Sequence, residues 1–314
     1  MAYDSTSMIP TRPRVPPRVR VPAIAALAWA LVSCHPAPAQ SPRDFETQWH
    51  ELLAARDYAA AQRLIDRRAM QLPDDPEVAI ARANLYFRQS TGPGAGFGAT
   101  GLRSRTPGDS TGLDTLLARR ALDTLRDGIT RHPNRLDMRL GLAYLCQQLG
   151  MRIQEVQIVG ETIEYARQHP DSLLWSYGEP LQVPVAEFLP RSLHDLVRYY
   201  ADRGAPGDDR AMMVLAELVM EGYPNSPYVP NDVAFYYGAH GDWKTSLRFL
   251  ERAERADSTD ALVLYNLGWA HEQLKQRDAA LRYYRRALAT GTAGRKDDIV
   301  TSASQRLDAL GEKP

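Results

Sequence analysis

Between Pro227 and Gly291 one arrangement of small, bulky and polar positions is written twice, 34 residues apart. Ala234, Tyr237, Ser246, Leu250 and Ala253 recur without a gap as Gly268, His271, Ala280, Tyr284 and Ala287. Within each copy the apolar residues return every three or four positions, which predicts two amphipathic helices joined by a short turn. Gly268, Ala280 and Ala287 remove bulk where helices cross, and Leu267 and Tyr284 are the large neighbours expected to fill the space beside them. Fainter copies precede this pair. Leu142-Ala143 with Gly150 fits a first helix and its turn. Ala121, Leu125, Gly128 and Pro133 fit the second helix before it, and Tyr58, Ala61 and Ile65 fit an opening unit from Phe45 to Pro73.

A 34-residue helix-turn-helix period of this kind resembles the tetratricopeptide repeat (TPR). The segments Leu264-Tyr-Asn-Leu-Gly268-Trp-Ala-His and Ala280-Leu-Arg-Tyr-Tyr-Arg-Arg-Ala287-Leu288 are very close to that family's pattern. The resemblance implies an all-α chain: an α-solenoid of about six TPR-like helix pairs over residues 44–294, each pair burying its apolar face against its neighbours. Residues 295–311, with Ile299, Val300, Ala303, Leu307 and Leu310 at helical spacing, are expected to form a C-terminal capping helix.

Turn prolines set the count of units. Pro133 to Pro170 is 37 residues, close to one repeat, whereas Pro76 to Pro133 is 57 and Pro170 to Pro224 is 54. The two surpluses coincide with segments that read as insertions. Residues 90–112, rich in Gly, Ser and Thr, are expected to be a flexible excursion inside the second unit. Residues 172–190, with Pro180, Pro184 and Pro190, are expected to be an extended or irregular connection, the fourth unit starting near Arg191.

In the family, side chains on the open face of each first helix meet the partner. Carried onto this sequence, those positions are Leu140, Tyr144 and Gln147 in the third unit and Asn231, Asp232 and Phe235 in the fifth. Tyr265, Asn266, Trp269 and Gln273 follow in the sixth. Tyr144, Phe235 and Trp269 share one repeat position, so the resemblance implies an aromatic row suited to an apolar or amphipathic peptide. Asn266 matches an Asn with which the family often holds a ligand's main chain. None of the named positions in units five and six is Lys or Arg, so the family's carboxylate-gripping variant is not expected there.

Composition narrows the class. With 44% hydrophobic and 24% charged residues the chain is a folded protein, and 38 basic against 38 acidic residues offer no basic block for nucleic acid. Only Cys34 and Cys146 are present, so no disulfide framework exists; Cys146 falls on an inner helical stripe as a small buried hydrophobe. The N-terminus reads as an address: Arg12, Arg14, Arg18 and Arg20 precede an apolar run from Val21 to Val32, too short to span a bilayer. Leu31-Val32-Ser33-Cys34 resembles a bacterial lipobox, which implies a signal peptide over 1–33, lipid on Cys34 and a Pro/Ala-rich tether over 34–43. Ala37-Pro38-Ala39 offers the alternative of ordinary cleavage before Gln40. Either way the protein is expected outside the cytoplasm, in the periplasm, membrane-bound through the lipid in the first case.

Chemistry finds little support. Gly96-Phe-Gly98-Ala-Thr-Gly101 satisfies a dinucleotide fingerprint formally but has no preceding strand to aim it, so a floppy loop is expected. His271-Glu272 has Lys275 where a zinc-protease motif needs its second His. The sequence therefore reads as a non-enzymatic scaffold of the cell envelope that binds a protein or peptide and needs no cofactor or metal. The alternatives are an accessory domain regulating an envelope enzyme and, behind it, a hydrolase built on residues 172–190.

Overall fold

The computed structural model describes residues 41–91, 97–98, 101–102, 113–205 and 207–312. The expected signal peptide, Cys34 and the tether up to Gln40 lie outside the described residues. Among those residues the chain forms six successive helix pairs and one closing helix. The pairs are α1 (Pro42–Ala54) with α2 (Tyr58–Gln71), α3 (Pro76–Thr91) with α4 (Thr115–Arg131), and α5 (Leu136–Gln148) with α6 (Arg152–Gln168). They continue with α7 (Val185–Arg203) and α8 (Asp208–Gly222), α9 (Tyr228–Ala239) and α10 (Trp243–Ala256), then α11 (Ala261–Gln273) and α12 (Arg277–Ala293). Helix α13 (Asp297–Ala309) closes the array. No central sheet is present among the described residues; the only strands there form two short antiparallel hairpins.

One turn recurs between helices. The amides of Asp57, Met151, Asp242, Gln276 and Lys296 each reach back five residues, to the carbonyls of Leu52, Cys146, Tyr237, His271 and Gly291. This Schellman closure requires a left-handed residue just before the donor. Gly150 and Gly241 supply it without strain, whereas Arg56, Lys275 and Arg295 adopt it as non-glycine residues, with φ of 57°, 60° and 54°. Side-chain caps then start several helices: Asp57, Asp114, Asp242 and Asp260 accept amides of the first turn. At the N-terminal end Ser41 accepts from the Asp44 amide, so α1 begins at Pro42 and takes Arg43 into its first turn, where a tether was expected.

Packing follows the repeat. First helices touch their successors (α1 with α3, α5 with α7, α7 with α9, α9 with α11, α11 with α13), and α6 touches α8. Gly268 shows why small residues stand at the crossings: a Cβ there would lie 2.6 Å from the ring of Tyr284, which is fully buried. Ala280, Ala287, Ala234 and Ala253 are likewise wholly inside, as is Cys146.

The two insertions depart from expectation in instructive ways. In the first, β1 (Phe97–Gly98) pairs with β2 (Gly101–Leu102), so part of the expected loose excursion is an antiparallel hairpin. In the second, β3 (Leu174–Trp175) pairs with β4 (Glu179–Pro180), and the following helix starts at Val185, six residues before the expected Arg191. Pro190 sits inside that helix rather than in a loop. Val185, Leu189, Leu193, Val197 and Tyr200 form one buried stripe, and its burial overrides the missing N–H.

Candidate functional site

The first helices of units five and six bring several expected residues together. Phe235 on α9 and Asn266 and Trp269 on α11 border one narrow crevice, whose floor is Ala234, Gly238, Ser246 and Leu250. Trp269 meets Trp243 of α10 edge to face, with ring centres 5.0 Å apart. Phe235 is 50% exposed, and Trp269 is half-buried. The Asn266 amide donates to Asn231 Oδ1 at 2.8 Å, tying α11 to α9 beneath the crevice; Asn231 itself is almost buried. Gln273 lies exposed one turn beyond Trp269. Tyr265 turns toward the end of the array, where its ring lies 5.6 Å from that of Tyr284 and its side chain is hydrogen-bonded with that of Arg306.

Three carried-over positions behave differently. Tyr144, the third member of the aromatic row, packs partly buried against the central core on α5 and borders no part of this crevice. Burial pushes its phenol well up, with the Arg88 guanidinium opposing. Gln147 was expected on the open face, yet it is 1% exposed. Its amide donates to Glu155 Oε1 at 2.7 Å and to the Leu196 carbonyl at 3.0 Å. Asp232 faces α7, where its Oδ2 lies 3.0 Å from His194 Nδ1. Both residues join helices together, because here the adjacent first helix, α7, covers the face that the repeat pattern leaves open.

Sequence reading missed the polar groups of the interior. Glu155 on α6 is fully buried and accepts from Gln147 and, at 2.5 Å, from the Tyr200 hydroxyl. Burial raises its carboxyl to about 8, the two hydrogen bonds and Arg152 opposing. Asp208, equally buried at the start of α8, accepts from Arg152 at 2.6 Å and from Arg203 at 2.5 and 2.6 Å. His194 is held above the ordinary histidine value: burial pulls it down, but the Asp232 carboxylate outweighs that, with Asp195 assisting. The burial of Glu155 and Asp208 depends on which helices are neighbours, and no local motif signals it. Among the described residues no group of three or more His, Cys, Asp or Glu could hold a metal, and no helix is long and apolar enough to cross a membrane.

The second insertion reaches far back along the chain. Leu174 bridges to Arg135 and donates its amide to the Asn134 carbonyl, and Trp175 packs edge to face on Phe188. At the hairpin tip, Tyr177 (φ 64°) donates to Glu46 of α1, and Arg43 donates to Glu179 at 2.5 Å. The insertion thus straps unit four to unit one.

No family model and no curated protein matches the chain. Solved structures that resemble it include the C-terminal part of a TPR repeat-containing protein from Cytophaga hutchinsonii, at 9% identity and TM-score 0.45, covering 85% of this chain and 87% of that one. PilW, a widely conserved type IV pilus biogenesis factor, resembles it at 12% identity and TM-score 0.37, over 79% of this chain and 92% of that one. YrrB, a TPR protein with an unusual peptide-binding site, does so at 10% and 0.33, over 70% and 88%. At these identities and TM-scores the likenesses carry no conclusion about this chain. The class rests on the nested pairs themselves, with their repeated closing turn: an α-solenoid of TPR-like repeats with a capping helix.

Proposed function

We propose that the chain is a non-enzymatic scaffold of the bacterial cell envelope, held to a membrane by lipid on Cys34. On this reading it binds an apolar or amphipathic peptide of a protein partner along α9 and α11. The supporting observation is Phe235: a half-exposed aromatic ring beside Trp269, at the mouth of a crevice, where a well-packed array has no structural need for it. Asn266, held from α9 by Asn231, and the exposed Gln273 offer amides for an extended main chain, and Tyr265 widens the surface toward α13. Tyr144 extends the same repeat position to α5 and contributes at most the edge of a longer partner. The apolar run from Val21 to Val32, with Cys34 just after it, supports export and lipid attachment.

Co-purification from the native host tests the groove. Phe235→Ala and Trp269→Ala should each reduce recovery of the partner by about tenfold or more with helix content unchanged. Full recovery with both variants removes the proposal. Mass spectrometry of the mature N-terminus tests the anchor: a diacylglyceryl Cys34 is expected, and a free Gln40 would replace the anchored form by a soluble one.

A further inference from the structure

A second cleft, of about 380 Å³, opens between the end of α6, the start of α7 and the end of α8, and shares no residue with the crevice at Phe235. Tyr223 and Ser226 both line it, each only 8% exposed. Neither hydroxyl finds a hydrogen-bond partner among the described residues. Buried hydroxyls are rarely left so, because an unmade hydrogen bond out of water is costly. Two of them on one cleft point to a group that arrives from outside.

Further residues with free donors border the same cleft among the described residues. Val185 and Ala186, the first two residues of the 19-residue α7, line the cleft. Among the described residues no side chain caps that helix, and neither amide has a backbone acceptor. The positive end of a long helix is therefore open here. Arg167 stands on the same wall; its ion pair among the described residues is a loose contact of 3.8 Å with Glu164 in which both side chains are well exposed. One guanidinium, two hydroxyls and two amides suit a single negative charge with two oxygens better than a dianion. The remaining surface is Ala166, Pro170, Gly222 and Pro224, small and apolar, with the polar Asn225 beside them. The volume exceeds what a bare ion fills.

We infer that this cleft is a binding site for a carboxylate carried on a small apolar body, either a free organic acid or the C-terminal residue of a partner chain. The carboxylate accepts from the α7 amides while Arg167 balances its charge, and the Tyr223 and Ser226 hydroxyls, covered in the free protein, turn to it on binding.

The test is an NMR titration of the amide-labelled full chain with 3-methylbutanoate, and with a pentapeptide ending in Val as the free acid and as the amide. The Val185 and Ala186 amides should shift saturably with both acids and not with the peptide amide. Tyr223→Phe, Ser226→Ala and Arg167→Gln should each weaken binding by about fivefold or more, as expected for hydrogen bonds to a charged group. Arg167 is exposed, so its variant folds whatever the hydroxyls contribute. A peptide acid that binds at least about tenfold tighter than 3-methylbutanoate assigns the site to a chain terminus, since only added contacts separate the two probes; equal affinity assigns it to a free acid. The inference is overturned if neither acid gives a saturable shift, or if all three variants bind as the wild type does. It fails independently of the groove proposal, because Phe235→Ala leaves this cleft untouched.

Discussion

Lys275 and Gly241 occupy the same position in consecutive repeats, and both are left-handed, with φ of 60° and 80°. The Cβ of an L-residue meets its own carbonyl there, while glycine has no Cβ but loses more chain entropy on folding. Lys275→Gly should therefore stabilise the protein by about 0.5–1 kcal/mol in urea unfolding, and Gly241→Ala should cost a similar amount. Glu155 is the other residue whose surroundings set its behaviour. Its folded-state value of about 8 lies above that of an unfolded glutamate, so the folded chain holds this proton more tightly. That contribution is complete below the unfolded value and is lost as pH rises through about 8. Glu155→Gln keeps an acceptor for Tyr200 and carries no titrating proton. The unfolding midpoint of the wild type should fall between pH 5 and pH 8.5 relative to that of the variant, and parallel profiles would contradict the assignment.

At the level of elements, the third and fourth pairs are joined by charge as well as by apolar packing. Asp208 gathers Arg152 from the start of α6, Arg203 from the end of α7 and the Ala205 amide at its own helix start. Removing one partner of a buried ion cluster leaves charge without compensation, which costs about 3–5 kcal/mol. Arg152 is 39% exposed and can turn to water, so Asp208→Asn should cost near the lower end of that range. Differential scanning calorimetry should show units four to six melting apart from the rest in this variant; a single unshifted transition would show the cluster to be dispensable. The strap from the second insertion has different physics. Its outer contact, Arg43 with Glu179, is exposed on both sides and adds little stability on its own, while Leu173, just before the hairpin, is buried in the central core.

For the molecule as a whole, stability is shared between neighbours, so the ends matter more than in a globule. Helix α13 covers the last repeat through Ile299, Ala303 and Leu307, the last of which packs with Leu281 and Tyr284. A chain ending after Gly294 should self-associate in sedimentation velocity, because α12 then presents that apolar face to solvent. Amide exchange of α11 and α12 should accelerate with it. A monomer with unchanged exchange would mean that α13 is not a cap.

The sequence alone determined the helix pairs, the small-against-large crossings such as Gly268 on Tyr284, the six-unit count and the closing helix. All of these follow from spacing along one chain, and the 34-residue period repeats that spacing visibly. Part of the crevice was legible for the same reason: Phe235, Asn266 and Trp269 hold fixed places in the period. Only the tertiary structure decided that Gln147 and Asp232 turn toward α7, that this helix starts at Val185, and that the second insertion runs back to Glu46. It also decided that Glu155 and Asp208 are buried, and that Tyr223 and Ser226 keep unpartnered hydroxyls on one cleft. A polar side chain's surroundings depend on which neighbour covers it, and neighbours separated by 38 to 131 residues leave no periodic trace in the sequence.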